Sequence, residues 1–421
     1  MRRFRFFCCI RMCNQGECNS PLQTNNMKFF TRIFALLLTL HFSFFSQAQS
    51  DSCNITVSLL TAGPGDELYS IFGHSALRVV DKTRNTDLVF NYGTFEFGDD
   101  FYQKFIKGDL LYFSSIEQFN NHDGYLGFLN EYKEEGRSIQ EQILNLSCQQ
   151  KQKLYDALKT NALPQNRYYL YEFLFDNCST RLRDIVEKNN SPFSTRNILE
   201  NKSLTFRDLI YSYLNRGKQY WSKLGIDILL GANMDRKVTN REAMFLPEYL
   251  LKGFDSTTVN GKPLVSEKRT LFDAPNNTAS AAPVTPMVAF SFLFALVGFC
   301  SLVKYPSAKM FLKIFDPALF FLTGALGILL VFMWAGTSHM ECKNNLNLLW
   351  AVPTHFVIAF FVNSNKKWVK TYFKLTAWLS LLLLICWIIL PQALNVALIP
   401  LVGVLFLRSQ KRSKAIVNGQ S

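Results

Sequence analysis

The stretch Asp176-Asn177-Cys178-Ser179-Thr180-Arg181 decides how this chain is read. Asp and Asn are good helix N-cap residues, and after them Leu182, Ile185 and Val186 recur at helical spacing. Cys178 is therefore predicted in the first turn of a helix. There the unpaired backbone N–H groups and the positive end of the helix dipole favour a thiolate over a thiol. An imidazole comes earlier in the chain, in Phe72-Gly73-His74-Ser75-Ala76. Brought together, the two make a nucleophile and its base. Spacing alone leaves the alternative open: a buried structural cysteine near a helix start and a histidine packed at a strand end.

Outward from these segments, Asn54 to Thr61 is rich in β-branched residues and ends at the turn Gly63-Pro64-Gly65-Asp66. Leu77, Val79 and Val80 on one side of Asp81-Lys82-Thr83-Arg84-Asn85, and Leu88-Val89-Phe90 on the other, read as a hairpin whose first strand His74 opens. Counting outward from the turn brings His74 near Asn91, Tyr92 and Thr94. Asn91 is the first choice to orient the imidazole and Tyr92 the second, because a one-residue register change reverses the face. Gly93 to Tyr125 is dense in aromatics, which serve as core or as the wall of an apolar groove. Ser147 with Gln150 has the form of a capping box, and Leu154 and Leu158 carry a helix to Asn161. Tyr168 to Phe175 is a strand-like run that delivers Cys178.

The net charge of +13 has to be located before it is interpreted. Residues 1–32 carry +5, residues 300–421 carry +10, and the rest carries −2. A basic excess at the ends of hydrophobic segments writes membrane topology and not a phosphate-binding face, so nucleic acid is not expected as a partner. Residues 1–26 hold Cys8, Cys9, Cys13 and Cys18 in no paired zinc spacing and read as a dispensable leader. Residues 27–48 have the tripartite form of a secretory signal. Residues 49–253 then form an exported domain. In that compartment Cys53 and Cys148 are the natural pair for a disulfide, which leaves Cys178 free. Residues 254–283, rich in Ser, Thr, Asn and Pro, read as a linker.

Five hydrophobic segments follow within 284–407: Val284 to Val303, Pro317 to Ala335, Leu346 to Val362, Phe373 to Leu390 and Ala393 to Leu407. Lysine and arginine clusters follow the first, third and fifth, and residues 408–421 form a basic tail. If all five cross, every cluster lies in the cytoplasm and the Cys178 domain lies outside, as the signal sequence independently requires. The loop from Gly336 to Asn345 then falls on the thiol's side. It offers His339 and Asn345, with Asn347 just beyond, as candidate substrate-binding residues. Arg181, in the cysteine motif, is a further one. Nothing in the sequence calls for a metal or a diffusible cofactor.

Four motifs in order, Leu60-Thr61-Ala62-Gly63-Pro64-Gly65-Asp66, Phe72-Gly73-His74-Ser75-Ala76-Leu77-Arg78, Phe90-Asn91-Tyr92-Gly93-Thr94-Phe95 and Asp176-Asn177-Cys178-Ser179-Thr180-Arg181-Leu182-Arg183-Asp184, resemble the Lnb family of Bacteroidota lipoprotein N-acyltransferases. The order of histidine before cysteine also resembles the permuted papain-like arrangement of NlpC and lecithin-retinol acyltransferase relatives. The resemblance implies an α+β permuted papain-like periplasmic domain, followed by an all-α five-helix transmembrane domain in the inner membrane. It further implies Cys178 as nucleophile, His74 as base, phospholipid as acyl donor and a diacylated lipoprotein as acceptor. A membrane-anchored cell-wall cysteine peptidase, a phospholipase or deacylase, and a non-enzymatic membrane-assembly module are the alternatives.

Overall fold

The computed structural model describes residues 53–201, 203–275 and 282–415; the expected leader, the signal segment and residues 416–421 of the tail lie outside these. Among the described residues ten strands run in chain order as β1 (Ile55–Ala62), β2 (His74–Asp81), β3 (Thr86–Thr94), β4 (Leu111–Gln118), β5 (Ile139–Leu144), β6 (Tyr168–Leu170), β7 (Phe193–Thr195), β8 (Thr257–Val259), β9 (Lys262–Pro263) and β10 (Val265–Phe272). Seven of them form one antiparallel sheet in the order β10-β5-β1-β2-β3-β4-β6, and β7-β8-β9 form a small second sheet. The β2–β3 hairpin pairs Leu77 with Phe90 and Asp81 with Thr86. Asp81 closes its turn by accepting from the N–H groups of Thr83 (2.9 Å) and Arg84 (3.3 Å).

Strand β1 lies near the middle of the sheet and is buried along almost its whole length, which suits its β-branched run. On one face, the helices Cys148–Asn161 and Cys178–Asn190 lay Leu154, Leu158, Leu182 and Val186 against Val57, Leu59, Leu77, Val79 and Phe90. Each such fully buried aliphatic side chain contributes roughly 1.5–3 kcal/mol. On the other face, helix Phe128–Glu134 packs Phe128 against Leu60, Ala76, Val89 and Phe119. A Cys53–Cys148 disulfide ties the start of the sheet domain to the Cys148 helix. A third cluster joins the helix Phe206–Arg216 to the Phe245–Leu246 turn that precedes helix Pro247–Asp255.

The stretch read as a linker is structured over most of its length. The Pro247 helix runs to Asp255, β8 and β9 follow, and β10 pairs along β5 as an edge of the large sheet. Its pattern is mostly exposed and charged, as edge strands are, so it carries no apolar alternation to read.

From residue 286 to residue 415 the chain is mainly helical: Pro286–Leu302, Pro306–Ala335, Lys367–Cys386 and Leu398–Ala415, with a broken segment between the second and third. By length and composition, the helices Pro306–Ala335 and Lys367–Cys386 can cross a membrane, and Pro286–Leu302 is apolar over 17 residues. The third expected span is not one helix. It runs as a 3₁₀ turn at Leu346–Leu349, a short helix at His355–Ile358 and a 3₁₀ turn at Ala359–Phe361. Pro353 supplies no N–H and disfavours helical geometry in the residue before it. His355 sits inside this break with Nδ1 3.3 Å from Thr323 Oγ1, a helix-packing contact. Nor is residue 408 the start of a loose tail. Helix Leu398–Ala415 continues through it, and Arg408 and Arg412 turn inward onto Asp316, at 2.7 and 2.8 Å for Arg408 and 2.5 Å for Arg412.

Candidate active site

Cys178 is the first residue of its helix, as the Asp-Asn-Cys order predicts. The Asn177 side chain accepts the Thr180 N–H at 2.9 Å, and Thr180 Oγ1 accepts the Asn177 N–H at 2.8 Å, a reciprocal capping box. Asn177 Nδ2 also donates to the carbonyls of Phe173 and Phe245 at 2.7 and 2.8 Å, fixing the cap to two neighbouring segments. The thiol is thereby held at the positive end of the dipole with little freedom. Gly93 suits its place in β3 through its φ of +88°, which L side chains rarely adopt.

His74 opens β2 after Gly73, whose φ of +82° turns the chain inward; a Cβ at Gly73 would come 2.7 Å from the Ala62 carbonyl. His74 lines the same cleft as Cys178, near enough that each shifts the other's titration, and its Nε2 lies 3.1 Å from Asn91 Oδ1. Asn91 Nδ2 in turn donates to Glu117. In that orientation Asn91 presents oxygen to the ring, so the Nε2 proton faces Asn91 and Nδ1 is the nitrogen left to exchange a proton with the thiol. The Tyr132 ring stacks on the imidazole at 6.2 Å between centroids, 10° from parallel, and Arg137 lies over the Tyr132 ring at 4.5 Å.

The electrostatics match the geometry. Burial disfavours a charged His74, but the neighbouring Cys178 charge and hydrogen bonds to Cys178 and Asn91 outweigh it and raise its pKa. Burial likewise opposes the Cys178 thiolate; the His74 charge and hydrogen bond, with the Ser75 N–H and the Ser179 hydroxyl, overcome it and lower its pKa. The two shifts move toward a thiolate–imidazolium pair. Glu117 is pushed up to about 7 by burial and by Glu131, with the Asn91 hydrogen bond and the His74 charge opposing. Alkylation of Cys178 by iodoacetamide is therefore expected to start below the pH at which an ordinary thiol reacts. In His74→Ala, where burial acts without the ring's charge, onset should move above the ordinary thiol range. Identical pH–rate profiles for the two proteins would mean that no ion pair forms.

Cys178, His74 and Asn91 line one cleft of about 460 Å³, with Phe95, Tyr112, Tyr132, Tyr171 and Glu117 in its walls. Tyr92 lines it too, but its hydroxyl is turned away and accepts from Asn161 Nδ2 at 2.9 Å, so Asn91 alone of the two meets the imidazole. Arg181 lies outside the cleft lining: it forms a bidentate pair with Asp176 at 2.6 and 2.8 Å and stacks on Tyr169 at 3.4 Å, bracing the turn before the helix. His339 lines a neighbouring cavity of about 230 Å³, with Nε2 3.1 Å from the Phe105 carbonyl. That cavity shares Tyr112 and Tyr171 with the first. Its Glu172 is pushed up to about 8 by burial and by its partner Glu341.

Asn345 and Asn347 are fully buried and spend their donors elsewhere. Asn345 Nδ2 bonds the carbonyls of Ile228 and Leu229, Asn347 Nδ2 those of Asp227 and Ile228, and Gln392 Nε2 that of Leu230. These amides cap the C-terminal carbonyls of helix Tyr220–Leu229 and fasten the sheet domain to the helical region; neither asparagine faces the cleft. Glu117 and Tyr132 are functional neighbours that sequence reading missed. An acid on a half-exposed strand and an aromatic on a short helix give no local sign that they converge on a histidine.

A free thiol at a capped helix N-terminus, an oriented imidazole, and a sheet domain tied to apolar helices together define a membrane-anchored cysteine–histidine protein. Comparison with protein families gives the particular case: the Lnb N-terminal periplasmic domain matches residues 41–215 and the Lnb transmembrane domain matches residues 277–417. The chain belongs to the Lnb family through both of its domains. No curated protein and no solved structure matches it.

Proposed function

We propose that this protein is an inner-membrane lipoprotein N-acyltransferase that moves a fatty acyl chain from phospholipid to the α-amine of the lipidated N-terminal cysteine of diacylated lipoproteins. The observation that carries the reading is the Cys178–His74–Asn91 array, in a cleft whose wall continues into an exposed aromatic surface. Phe95 lines the cleft, meets Phe97 edge to face and stacks on Phe101, and Tyr102 and Phe105 extend the cluster. Helix Phe101–Lys107, which carries no buried residue, is joined to the loop after helix Pro306–Ala335 by Ser338 N–H to the Lys107 carbonyl at 2.8 Å. Aromatic side chains with Lys104 and Lys107 suit the interface of a bilayer, so an acyl ester has an apolar way to the thiol.

In the first half-reaction the Cys178 thiolate attacks the ester carbonyl carbon. The Cys178 N–H, at the helix N-terminus, is available to the developing oxyanion. Collapse breaks the acyl C–O bond, and the lysophospholipid oxygen takes the proton of the His74 imidazolium. In the second, the neutral α-amine attacks the thioester carbonyl, His74 takes the amine proton, and Cys178 leaves as thiolate. An α-amine has a pKa near 8, so the proton it must lose is held weakly. Histidine on a strand before the nucleophilic cysteine on a helix is the permuted papain-like order, and such triads are recognised by role and not by chain order.

A phospholipase shares the first half-reaction and differs only in using water as acceptor. Incubation of the purified protein with defined phospholipid should give a fatty-acyl mass increment that hydroxylamine removes. A diacylated lipopeptide should discharge it with release of triacylated product. An increment lost to water at the same rate with or without the lipopeptide would favour the phospholipase. No increment and no lysophospholipid would end the acyl-transfer reading.

A further inference from the structure

The end of the helical region farthest from the Cys178 domain holds a cavity that acyl transfer leaves unused. Helices Lys367–Cys386 and Leu398–Ala415 pack along one another and leave an open groove of about 440 Å³ near their basic ends. Two stripes face this space. On the first helix Lys370, Lys374 and Trp378 recur every fourth residue, and on the second Phe406, Gln410 and Lys414 do the same. Each stripe passes from an aromatic, Trp378 exposed on the outer face and Phe406 half-buried, to a lysine at its end, so the groove is basic at one end and apolar at the other.

Among the described residues no carboxylate neutralises the lysine charge there. Only Asp316 and Glu341 are acidic among residues 282–415. Glu341 belongs to the loop that meets the Cys178 domain, where its carbonyl accepts the Gly231 N–H. Asp316 is fully buried beneath Arg408 and Arg412, which occupy both its oxygens. Among the described residues Lys370, Lys374 and Lys414 pair with no carboxylate. Like charges four residues apart on one helix repel, and the third lysine faces them across the cavity. Membrane topology accounts for lysines at these helix ends, but it does not require them to converge on one groove that also carries Trp378 and Phe406.

We infer that this cavity is a binding site for an anionic phospholipid of the leaflet opposite the Cys178 domain, with the phosphate between the three lysines and an acyl chain along Trp378 and Phe406. The inference rests on the membrane placement of the helices proposed above and is independent of the chemistry at Cys178.

The test uses the full chain as the Cys178→Ala variant, so that no bound lipid is turned over, purified in detergent and offered phosphatidylglycerol and phosphatidylcholine with identical chains. Native mass spectrometry should show the anionic lipid retained preferentially. A nearby lysine is worth about a fivefold factor in such binding, so Lys370→Gln/Lys374→Gln/Lys414→Gln should lower that retention at least about tenfold. The control triple Lys304→Gln/Lys309→Gln/Lys313→Gln, at another basic helix end, should leave it unchanged. Equal retention of the two lipids, or equal loss in both triples, would overturn the site. If the first triple is unstable, the charge reversal Lys374→Glu should lower phosphatidylglycerol retention about fivefold or more. An unchanged value there would overturn it as well. A failed thioester assay would leave this result standing, and the converse holds.

Discussion

Cys178→Ala should lower acyl transfer by about 10⁴-fold or more, because removing a covalent nucleophile leaves only the binding and oxyanion contributions of the site. His74→Ala should come close to the same loss: the buried thiol would keep its proton, and the departing lysophospholipid oxygen would have no acid. Asn91→Ala should cost less, about 10²-fold, since it acts through the ring and not on the reacting atoms. The loss should fall on kcat, with KM for phospholipid nearly unchanged. Cys178→Ala/His74→Ala should be barely slower than either single variant, as befits residues that act as a unit. A 10⁴-fold loss in Cys178→Ala with Asn91→Ala indistinguishable from wild type would remove Asn91 from the site. Additive losses in the double variant would remove the thiolate–imidazolium pair.

Those residues could be read from the chain because their signals are local. Asn177 before Cys178, with Leu182, Ile185 and Val186 after it, is a helix start in any context, and the β2–β3 hairpin follows from two apolar runs about a turn. Register then brings Asn91 to His74, and the face reversal between Asn91 and Tyr92 is what sends one side chain to the imidazole and the other to Asn161. What stayed hidden depends on distant partners. Val265–Phe272 looks like a linker because an edge strand carries charge where a central strand alternates, and its place on β5 comes from a segment more than a hundred residues earlier. Asn345 and Asn347 look like substrate ligands because polar residues in a loop near a reactive thiol usually face solvent. Their partners are the last carbonyls of a helix far back in the chain, which no local pattern announces. Arg408 and Arg412 resemble any basic tail until Asp316 is found beneath them.

Arg207→Met should destabilise the protein by about 3–5 kcal/mol, the cost of stranding a buried charge. Arg207 is fully buried on helix Phe206–Arg216. It meets Asp227 at 3.0 Å, Asp235 at 2.9 and 3.0 Å, and the Gly231 carbonyl at 3.0 Å. Asp227 is equally buried and also accepts from the Tyr211 hydroxyl and from Asn395 Nδ2, both at 2.7 Å. Without the guanidinium, an Asp227 carboxylate would keep two neutral donors but no countercharge. Arg207→Met/Asp227→Asn should therefore recover about half of the loss, and thermal unfolding of the full chain in detergent measures both. The position of this cluster gives it a second effect. Asp227 begins the last turn of the helix whose carbonyls Asn345, Asn347 and Gln392 cap, so Arg207 supports the joint between the cysteine domain and the apolar helices. Loosening that joint should slow transfer from phospholipid in vesicles more than transfer from a short-chain, water-soluble thioester, because only the first substrate needs the cleft held at the bilayer. Equal losses on both substrates would mean that the cluster serves the folding of the cysteine site and not its height above the membrane.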